Sequence, residues 1–202
     1  MTLRSGNVAG SVVALLLIVV LGIGSVTAAL ANDAATRAVQ STSTNAYGEK
    51  AFRIYLTGYS YWDNTPPGST AISKPVVHRR AGGTGTYRDP ITIAVGHKIV
   101  GKRQTLDFPA GTRFYLKRLR KYVVVEDVCG DGSRPQNGPC HTGYNGLPWL
   151  DIYIDGQGVS ASEATQCARK ITAVQEIILN PRPDYPVEVG SLTSSGCRVF
   201  SG

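Results

Sequence analysis

Two aspartates occur where an acidic side chain is costly to bury. Asp127 ends a strand-like run that contains three valines, and Asp151 lies inside the apolar segment 149–154. A carboxylate in such a place must be paired, hydrogen-bonded or protonated. Two acids facing each other across a barrel would push their pKa values apart, as cleavage of a glycosidic bond requires. The alternative is that each carboxylate only caps loop N–H groups.

Aromatic residues lie close to both aspartates in the sequence. Tyr59, Tyr61 and Trp62 cluster at the end of the first predicted strand, and Trp149 precedes Asp151. Aromatic rings beside a groove stack on the C–H faces of sugars, so these four residues are candidate substrate-binding residues. His97 follows a short apolar strand and is a fifth candidate. Packing in the core is the alternative for the aromatic residues, most of all for Tyr59.

Metal and cofactor chemistry have little support in the sequence. The three histidines, His78, His97 and His141, are not spaced as metal ligands. The glycine-rich segment 82–85 is not followed by the Lys-Ser/Thr pair of a phosphate-binding loop. We therefore expect no metal and no other cofactor.

The first 50 residues predict export. Arg4 precedes the apolar run Val12–Ile23, and the small residues Ala29 and Ala31 follow, one on each side of Leu30. This pattern predicts a secretory signal over residues 1–31, with an uncleaved membrane anchor as the alternative. Residues 32–50 are small and polar, which is typical of a flexible linker. On either reading the rest of the chain is secreted or lies at the cell surface.

The cysteines are even in number and all lie in the exported part. They are Cys129, Cys140, Cys167 and Cys197. An even set in an oxidising compartment predicts disulfides, and three connectivities are possible. We favour Cys129–Cys140, which closes a loop rich in Gly and Pro, and Cys167–Cys197, which holds the C-terminal tail.

The basic balance of the chain indicates polyanionic surroundings. The formal net charge is +7, and the run Lys117–Lys121 is a concentrated source of it. This run is either a solvated hairpin tip or a patch for an anionic wall polymer or lipid. No nucleic-acid-binding motif accompanies it, so nucleic acid is not an expected partner. We expect a monomer.

The pattern of elements favours a barrel built mainly from β-strands. Strand signals cover 52–59, 91–95, 112–116, 122–125, 150–154 and 171–179. Ser160 and Glu163 form a capping box that opens a short helix to about Arg169. Together they predict a six-stranded barrel over residues 51–180 with ψ-type crossovers, one short helix and long disulfide-stapled loops. Residues 181–202 then form a tail that wraps the surface, and a two-sheet sandwich is the second choice.

Short segments of the chain follow an order seen in a known group of folds. Residues 56–59, 109–112, 125–130 and 150–153 resemble double-ψ β-barrel proteins. The similarity is to the three-aspartate domain of lytic transglycosylase A and of wall-remodelling factors, and more distantly to rare lipoprotein A, expansins and barwin. Residues 83–92 and 180–197 resemble more closely a group of small secreted proteins.

The resemblance implies roles for particular acids. Asp127 and Asp151 match two of the three aspartates of that domain. The third aspartate normally follows an Ala-Val pair, and here Gly96 stands in its place. The residues that could substitute for it are Asp63, Asp89 and His97.

Two functions of different classes follow from the resemblance. In the first, the protein is a wall-active enzyme that cleaves glycans. Asp127 is then the general acid, and Asp151 orients the sugar or stabilises the oxocarbenium-like charge. In the second, the protein is a non-catalytic module that binds wall polysaccharide in the same groove, as expansins and barwin-type proteins do. The missing third aspartate favours binding, and the retained pair favours chemistry.

Overall fold

The computed structural model describes residues 48–201. The predicted signal or anchor at 1–31 and most of the predicted linker at 32–50 lie outside the described residues. None of the helices in the described part of the chain is long and apolar enough to cross a membrane.

Six strands close into a barrel, which confirms the predicted fold class and rules against the two-sheet sandwich. The barrel order is β1-β7-β2-β6-β5-β8, and β3 and β4 form a separate two-stranded sheet that the sequence did not indicate. The strands are β1 (Lys50–Tyr59), β2 (Ile91–Val95), β3 (His97–Val100), β4 (Arg103–Leu106), β5 (Arg113–Leu116), β6 (Lys121–Val128), β7 (Trp149–Tyr153) and β8 (Ala173–Leu179).

The barrel mixes parallel and antiparallel pairs. β1 pairs with β7 in parallel, as does β2 with β6, and the other four pairs are antiparallel. Parallel neighbours cannot be joined by a tight hairpin, so the chain needs long crossover connections. The stretches 60–90 and 129–148 are long connections of this kind, and each joins two strands that are separated by one strand in the barrel, β1 to β2 and β6 to β7. Both contribute residues to the cleft described below.

The barrel interior is apolar, and its burial is the main force that stabilises the fold. All five residues of β2 are buried, and β6 is buried from Lys121 to Asp127. β6 therefore carries three buried charged residues beside its buried valines. The fully buried interior side chains include Ile54, Leu56, Ile93, Val123, Val125, Leu150, Ile152 and Ile177.

The principal helix begins at the predicted capping box. α2 (Ala161–Ile171) follows α1 (Pro139–Thr142) and a 3₁₀ turn at Pro135–Asn137. The Ser160 side chain accepts from the Glu163 N–H at 3.2 Å, and the Glu163 carboxylate accepts from the Ser160 N–H at 2.9 Å. The predicted boundary between helix and strand is wrong by about two residues. Ile171 closes the helix and is buried there, so β8 begins only at Ala173.

Both favoured disulfides form. Cys129–Cys140 closes the loop after β6, and Cys167–Cys197 joins α2 to the C-terminal tail. The tail runs from Pro181 along the barrel, with Leu192 fully buried in the core. The buried Lys121 ammonium donates to the carbonyl groups of Glu188 and Gly190. The tail is therefore held both by the disulfide at Cys197 and by these hydrogen bonds.

Candidate functional site

Asp127 and Asp151 lie in one row across the barrel wall. Asp151 on β7 is in register with Ala94 on β2 and with Thr57 on β1. Ala94 is also in register with Asp127 on β6. Residues at matched positions of neighbouring strands point to the same face of the sheet, so the two carboxyls flank the small Ala94 side chain. The barrel thus brings together the two acids that the sequence singled out.

A β-bulge sets the position of Asp127. Ile93 pairs with Val125, whereas the next residue, Ala94, pairs with Asp127. Glu126 is therefore the extra residue on β6 and has no register partner on β2. A bulge re-aims the side chains beside it, and here it directs two consecutive acids into different surroundings.

The two carboxyls line a cleft of about 440 Å³ at this end of the barrel. The loop from β1 to β2 contributes Asp63 and Ser73 to its walls, and the disulfide loop contributes Cys129. Tyr59 lies beside the acids as the last residue of β1. The remaining lining residues are Asn64, Thr65, Ala71, Ile72, Ala94, Val128, Gly130 and Asp131.

Three donors hold the Asp127 carboxyl. Its Oδ1 accepts from the backbone N–H groups of Ser73 at 3.0 Å and Val128 at 2.9 Å. Its Oδ2 accepts from the Tyr59 hydroxyl at 3.0 Å. Burial raises the pKa of Asp127, and these three hydrogen bonds oppose the rise by favouring the charged form. Burial also raises the pKa of Tyr59 well above its ordinary value, so its hydroxyl stays a donor.

The Asp151 carboxyl has a single hydrogen-bond donor among the described residues, and its pKa is strongly raised. Burial raises the pKa of Asp151 to about 7, and the Asp63 and Asp127 charges add to the rise. Its Oδ1 accepts from the Thr57 hydroxyl at 2.6 Å, which opposes that rise. The Trp149 indole N–H, which can only donate, points at the Thr57 oxygen at 2.8 Å. The Thr57 proton is therefore directed at Oδ1, and Oδ2 is the oxygen free to carry a proton.

The third acid of the resemblance has no room at its expected position. A Cβ atom at Gly96 would clash with the Cys140 carbonyl and with the Asp107 carboxylate. Of the three possible substitutes, Asp63 lines the cleft. Asp63 also accepts two hydrogen bonds from Ser60, at 2.7 and 2.6 Å. The structure therefore gathers a third carboxylate at the cleft, but from a loop rather than from the strand end.

The other two possible substitutes lie elsewhere. Asp89 accepts from the His78 ring at 2.8 Å, away from the cleft. His97 is the first residue of β3 and is 3% exposed, and its ring Nδ1 has no partner in the described part of the chain. Burial lowers the pKa of His97. Its predicted role in substrate binding has no support in this placement.

The four aromatic candidates lie in four different environments. Tyr59 lines the acid cleft, and Tyr61 lines an adjoining groove. Trp62 is 41% exposed, and its indole N–H donates to the carbonyls of Gly156 and Val159. Trp149 packs edge-on against Tyr55 outside the cleft and positions Thr57. Trp149 is therefore placed to act on Asp151 through Thr57 rather than on a sugar.

An ion-pair cluster around the buried Glu126 escaped the sequence analysis. Glu126 is 0% exposed, and it accepts from the N–H groups of Val76, Val77 and His78. The His78 ring lies between Glu126 at 2.7 Å and Asp89 at 2.8 Å, so both ring nitrogens face carboxylates. Hydrogen bonds to the two acids raise the pKa of His78 against the opposing effect of burial. Among residues 48–201 no group of His, Cys, Asp and Glu is arranged to hold a metal ion.

The chain belongs to the family described as the DDB_G0273701 N-terminal domain, which matches residues 51–198. A relative from Dictyostelium discoideum, described as uncharacterized protein DDB_G0273701/DDB_G0273221, is 31% identical over 145 residues. The match covers 71% of this chain and 57% of that relative, so the chain spans little more than half of the relative's length. No solved structure gives a significant match to the chain.

Proposed function

We propose that the protein is an exported double-ψ β-barrel that cleaves the glycosidic bonds of a cell-wall polysaccharide. The observation that carries the proposal is the row in which Asp127 and Asp151 flank Ala94 and open into one cleft. A closed six-stranded barrel with two parallel pairs is compatible with the double-ψ type. The two disulfides support an oxidising location outside the cytosol.

The hydrogen bonds favour roles opposite to those implied by the resemblance. Asp127 accepts from three donors and is the better candidate for the ionised carboxylate. Asp151, with a pKa of about 7, is the better candidate for the general acid. When the surroundings of two acids push their pKa values apart, one can serve as the general acid while the other stays ionised and stabilises positive charge.

The proposed reaction begins with proton transfer from Asp151 Oδ2 to the glycosidic oxygen. The bond from that oxygen to the anomeric carbon breaks, and the Asp127 carboxylate stabilises the positive charge that develops there. A hydroxyl of the sugar or a water molecule adds to the carbon, and its proton passes to the Asp151 carboxylate, which restores the general acid. Asp63, at the wall of the cleft, is placed to orient the sugar.

Non-catalytic binding of the same polysaccharide is the second candidate. It is supported by Gly96, where no carboxylate fits. It is also supported by the exposed Trp62, which offers a ring face outside the acid cleft. On this reading the acids only hydrogen-bond sugar hydroxyl groups.

Release of soluble fragments from wall glycans separates the two candidates. The wild type and Asp151→Asn are incubated with peptidoglycan, chitin and cellulose, and retention on each glycan is measured in parallel. We expect Asp151→Asn to lose at least the roughly 100-fold contribution of a general acid while retention persists. Asp184→Asn, in the tail and paired with Arg182, is the matched control and should keep full activity.

Three results would decide against cleavage by Asp151. Wild-type protein that is retained on a glycan but releases nothing supports the binding module. Activity that survives Asp151→Asn and is lost in Asp127→Asn returns the acid role to Asp127. Activity that survives both substitutions places the chemistry outside this cleft.

A further inference from the structure

A second groove adjoins the acid cleft. It has a volume of about 590 Å³ and shares Ala71 and Ile72 with the cleft as lining residues. A ligand longer than one sugar could therefore occupy both. The groove is otherwise lined by Tyr61, Gly68, Ser69, Thr70, Arg79, Arg80 and Gln157.

The two lysines of the predicted basic patch at Lys117–Lys121 have partners within the fold. Lys117 forms an ion pair with Glu176. Lys121 is 0% exposed and bound to tail carbonyls. The Arg120 guanidinium stacks 4.1 Å from the centre of the Phe200 ring. Arg120 is nevertheless exposed, and neither Arg118 nor Arg120 forms an ion pair with another described residue, so part of the positive charge of this run stays free.

The arginines of the second groove are distinguished by their place, because they line a cavity that adjoins the acid cleft. Arg79 and Arg80 are both exposed. Neither forms an ion pair with another of the described residues. The residues that line the groove include no acid. Two uncompensated positive charges beside hydroxyl groups and an aromatic ring have the chemistry of an acidic sugar subsite.

The backbone that carries these arginines is held on both sides. His78, immediately before Arg79, is fixed between Glu126 and Asp89. Ala81, immediately after Arg80, is buried and donates its N–H to the Thr70 carbonyl at 2.8 Å. An anchored backbone reduces the conformational entropy lost when the two guanidinium groups bind an anion.

We propose that this groove binds the anionic group of an acidic polysaccharide whose chain continues into the acid cleft. Arg79 and Arg80 pair with a carboxylate or sulfate on the sugar, and Tyr61 stacks on its ring. Gln157 and the hydroxyls of Ser69 and Thr70 lie along the same groove for the neutral hydroxyl groups. This inference rests on the proposed function and narrows its substrate to negatively charged glycans.

The test compares glycans that differ only in charge. Binding of the full exported chain is measured with polygalacturonate and its carboxyl-reduced form, and with dextran sulfate and dextran. The variant is Arg79→Gln with Arg80→Gln. The matched control is Lys98→Gln with Lys102→Gln, which removes the same charge from exposed positions of the β3–β4 hairpin.

We expect tight binding to at least one charged glycan and at least about tenfold weaker binding to its uncharged form. The arginine variant should lose at least about tenfold in affinity for the charged glycan, and its binding should depend less on salt. The lysine control should stay within about twofold of the wild type. A preference for carboxylated over sulfated chains, or the reverse, identifies the anion.

Equal losses in the arginine and lysine variants would reduce the effect to general charge and overturn the proposal. Wild-type protein that binds neither charged glycan would overturn it as well. Failure of this proposal is distinguishable from failure of the proposed function. Cleavage of neutral glycans that the arginine substitutions do not affect leaves the function standing without the subsite. Arginine-dependent binding without fragment release leaves the subsite standing without cleavage.

Discussion

Glu126 and Asp127 are adjacent on β6, and one loop bonds to both of their carboxylates through different backbone N–H groups. Glu126 accepts from the N–H groups of Val76, Val77 and His78, whereas Asp127 accepts from the Ser73 N–H. The β-bulge in β6 leaves Glu126 as the extra residue, so the two carboxylates meet different parts of that loop. The segment that walls the acid cleft is thus anchored by the neighbouring, fully buried acid.

Removal of the His78 ring should destabilise the loop segment 73–78, which is bonded to Glu126 and Asp127. His78→Ala leaves the buried Glu126 charge without its partner, and we expect a loss of about 2–4 kcal/mol in the free energy of unfolding at pH 6. The pKa of His78 is raised above 6.5, so its contribution is full below 6.5 and is lost as pH rises through the raised value. Urea denaturation at pH 6 and pH 9 measures the difference.

His141→Ala is the control for His78→Ala, because His141 faces Asp107 at 2.6 Å on a more exposed site. It should cost under about 1 kcal/mol at pH 6. A His78→Ala loss of the same size at pH 6 and pH 9 would count against an ionised His78.

Asp151→Asn should stabilise the protein at high pH. The pKa of Asp151 is raised from 3.8 to about 7, so the stability linked to this group is full below 3.8 and is lost as pH rises towards 7. Asparagine keeps an acceptor for Thr57 and has no charge to bury. We expect the variant to match the wild type at pH 4 and to exceed it by about 2–4 kcal/mol at pH 8. Urea denaturation at both pH values tests this prediction. A variant that is less stable than the wild type at pH 8 would contradict it.

We expect any side chain at position 96 to destabilise the fold. Gly96→Ala brings a Cβ against the Cys140 carbonyl and the Asp107 carboxylate, and we expect a loss of at least about 2 kcal/mol. Gly158→Ala is the matched control, because no atom lies within 4 Å of its added Cβ, and it should be nearly neutral. Thermal unfolding of the two variants compares them. A well-folded Gly96→Asp with higher activity would show that the third acid can be restored.

The tail disulfide should contribute about 2–4 kcal/mol to stability. Cys167→Ser with Cys197→Ser opens a link across a sequence separation of 30 residues, which increases the entropy of the unfolded chain. The tail remains bonded to Lys121, so fragment release at low temperature should persist. Thermal unfolding and the glycan assay together test this, and an unchanged midpoint would show that the tail needs no covalent link.

The barrel and its acids could be predicted from the sequence because their signals are local. Runs of β-branched and aromatic residues mark the strands, and an acid in such a run stands out, as Asp151 does on β7. The ion pair of His78 with Glu126 could not be predicted, because the two residues are 48 positions apart and meet only when the loop folds over β6. The sequence also could not indicate which of the two acids is better suited to be the ionised carboxylate. That choice depends on the N–H group of Ser73, a loop residue 54 positions from Asp127.

The most direct test of the central claim is an NMR titration of the side-chain carboxyl carbons of Asp127 and Asp151. The cleft is proposed to hold Asp151 as the acid beside an ionised Asp127. We therefore expect the pKa of Asp151 to be about 7 and that of Asp127 to lie clearly below it. A pKa of Asp151 near its ordinary value of 3.8, with Asp127 titrating at the higher pH, would contradict the account.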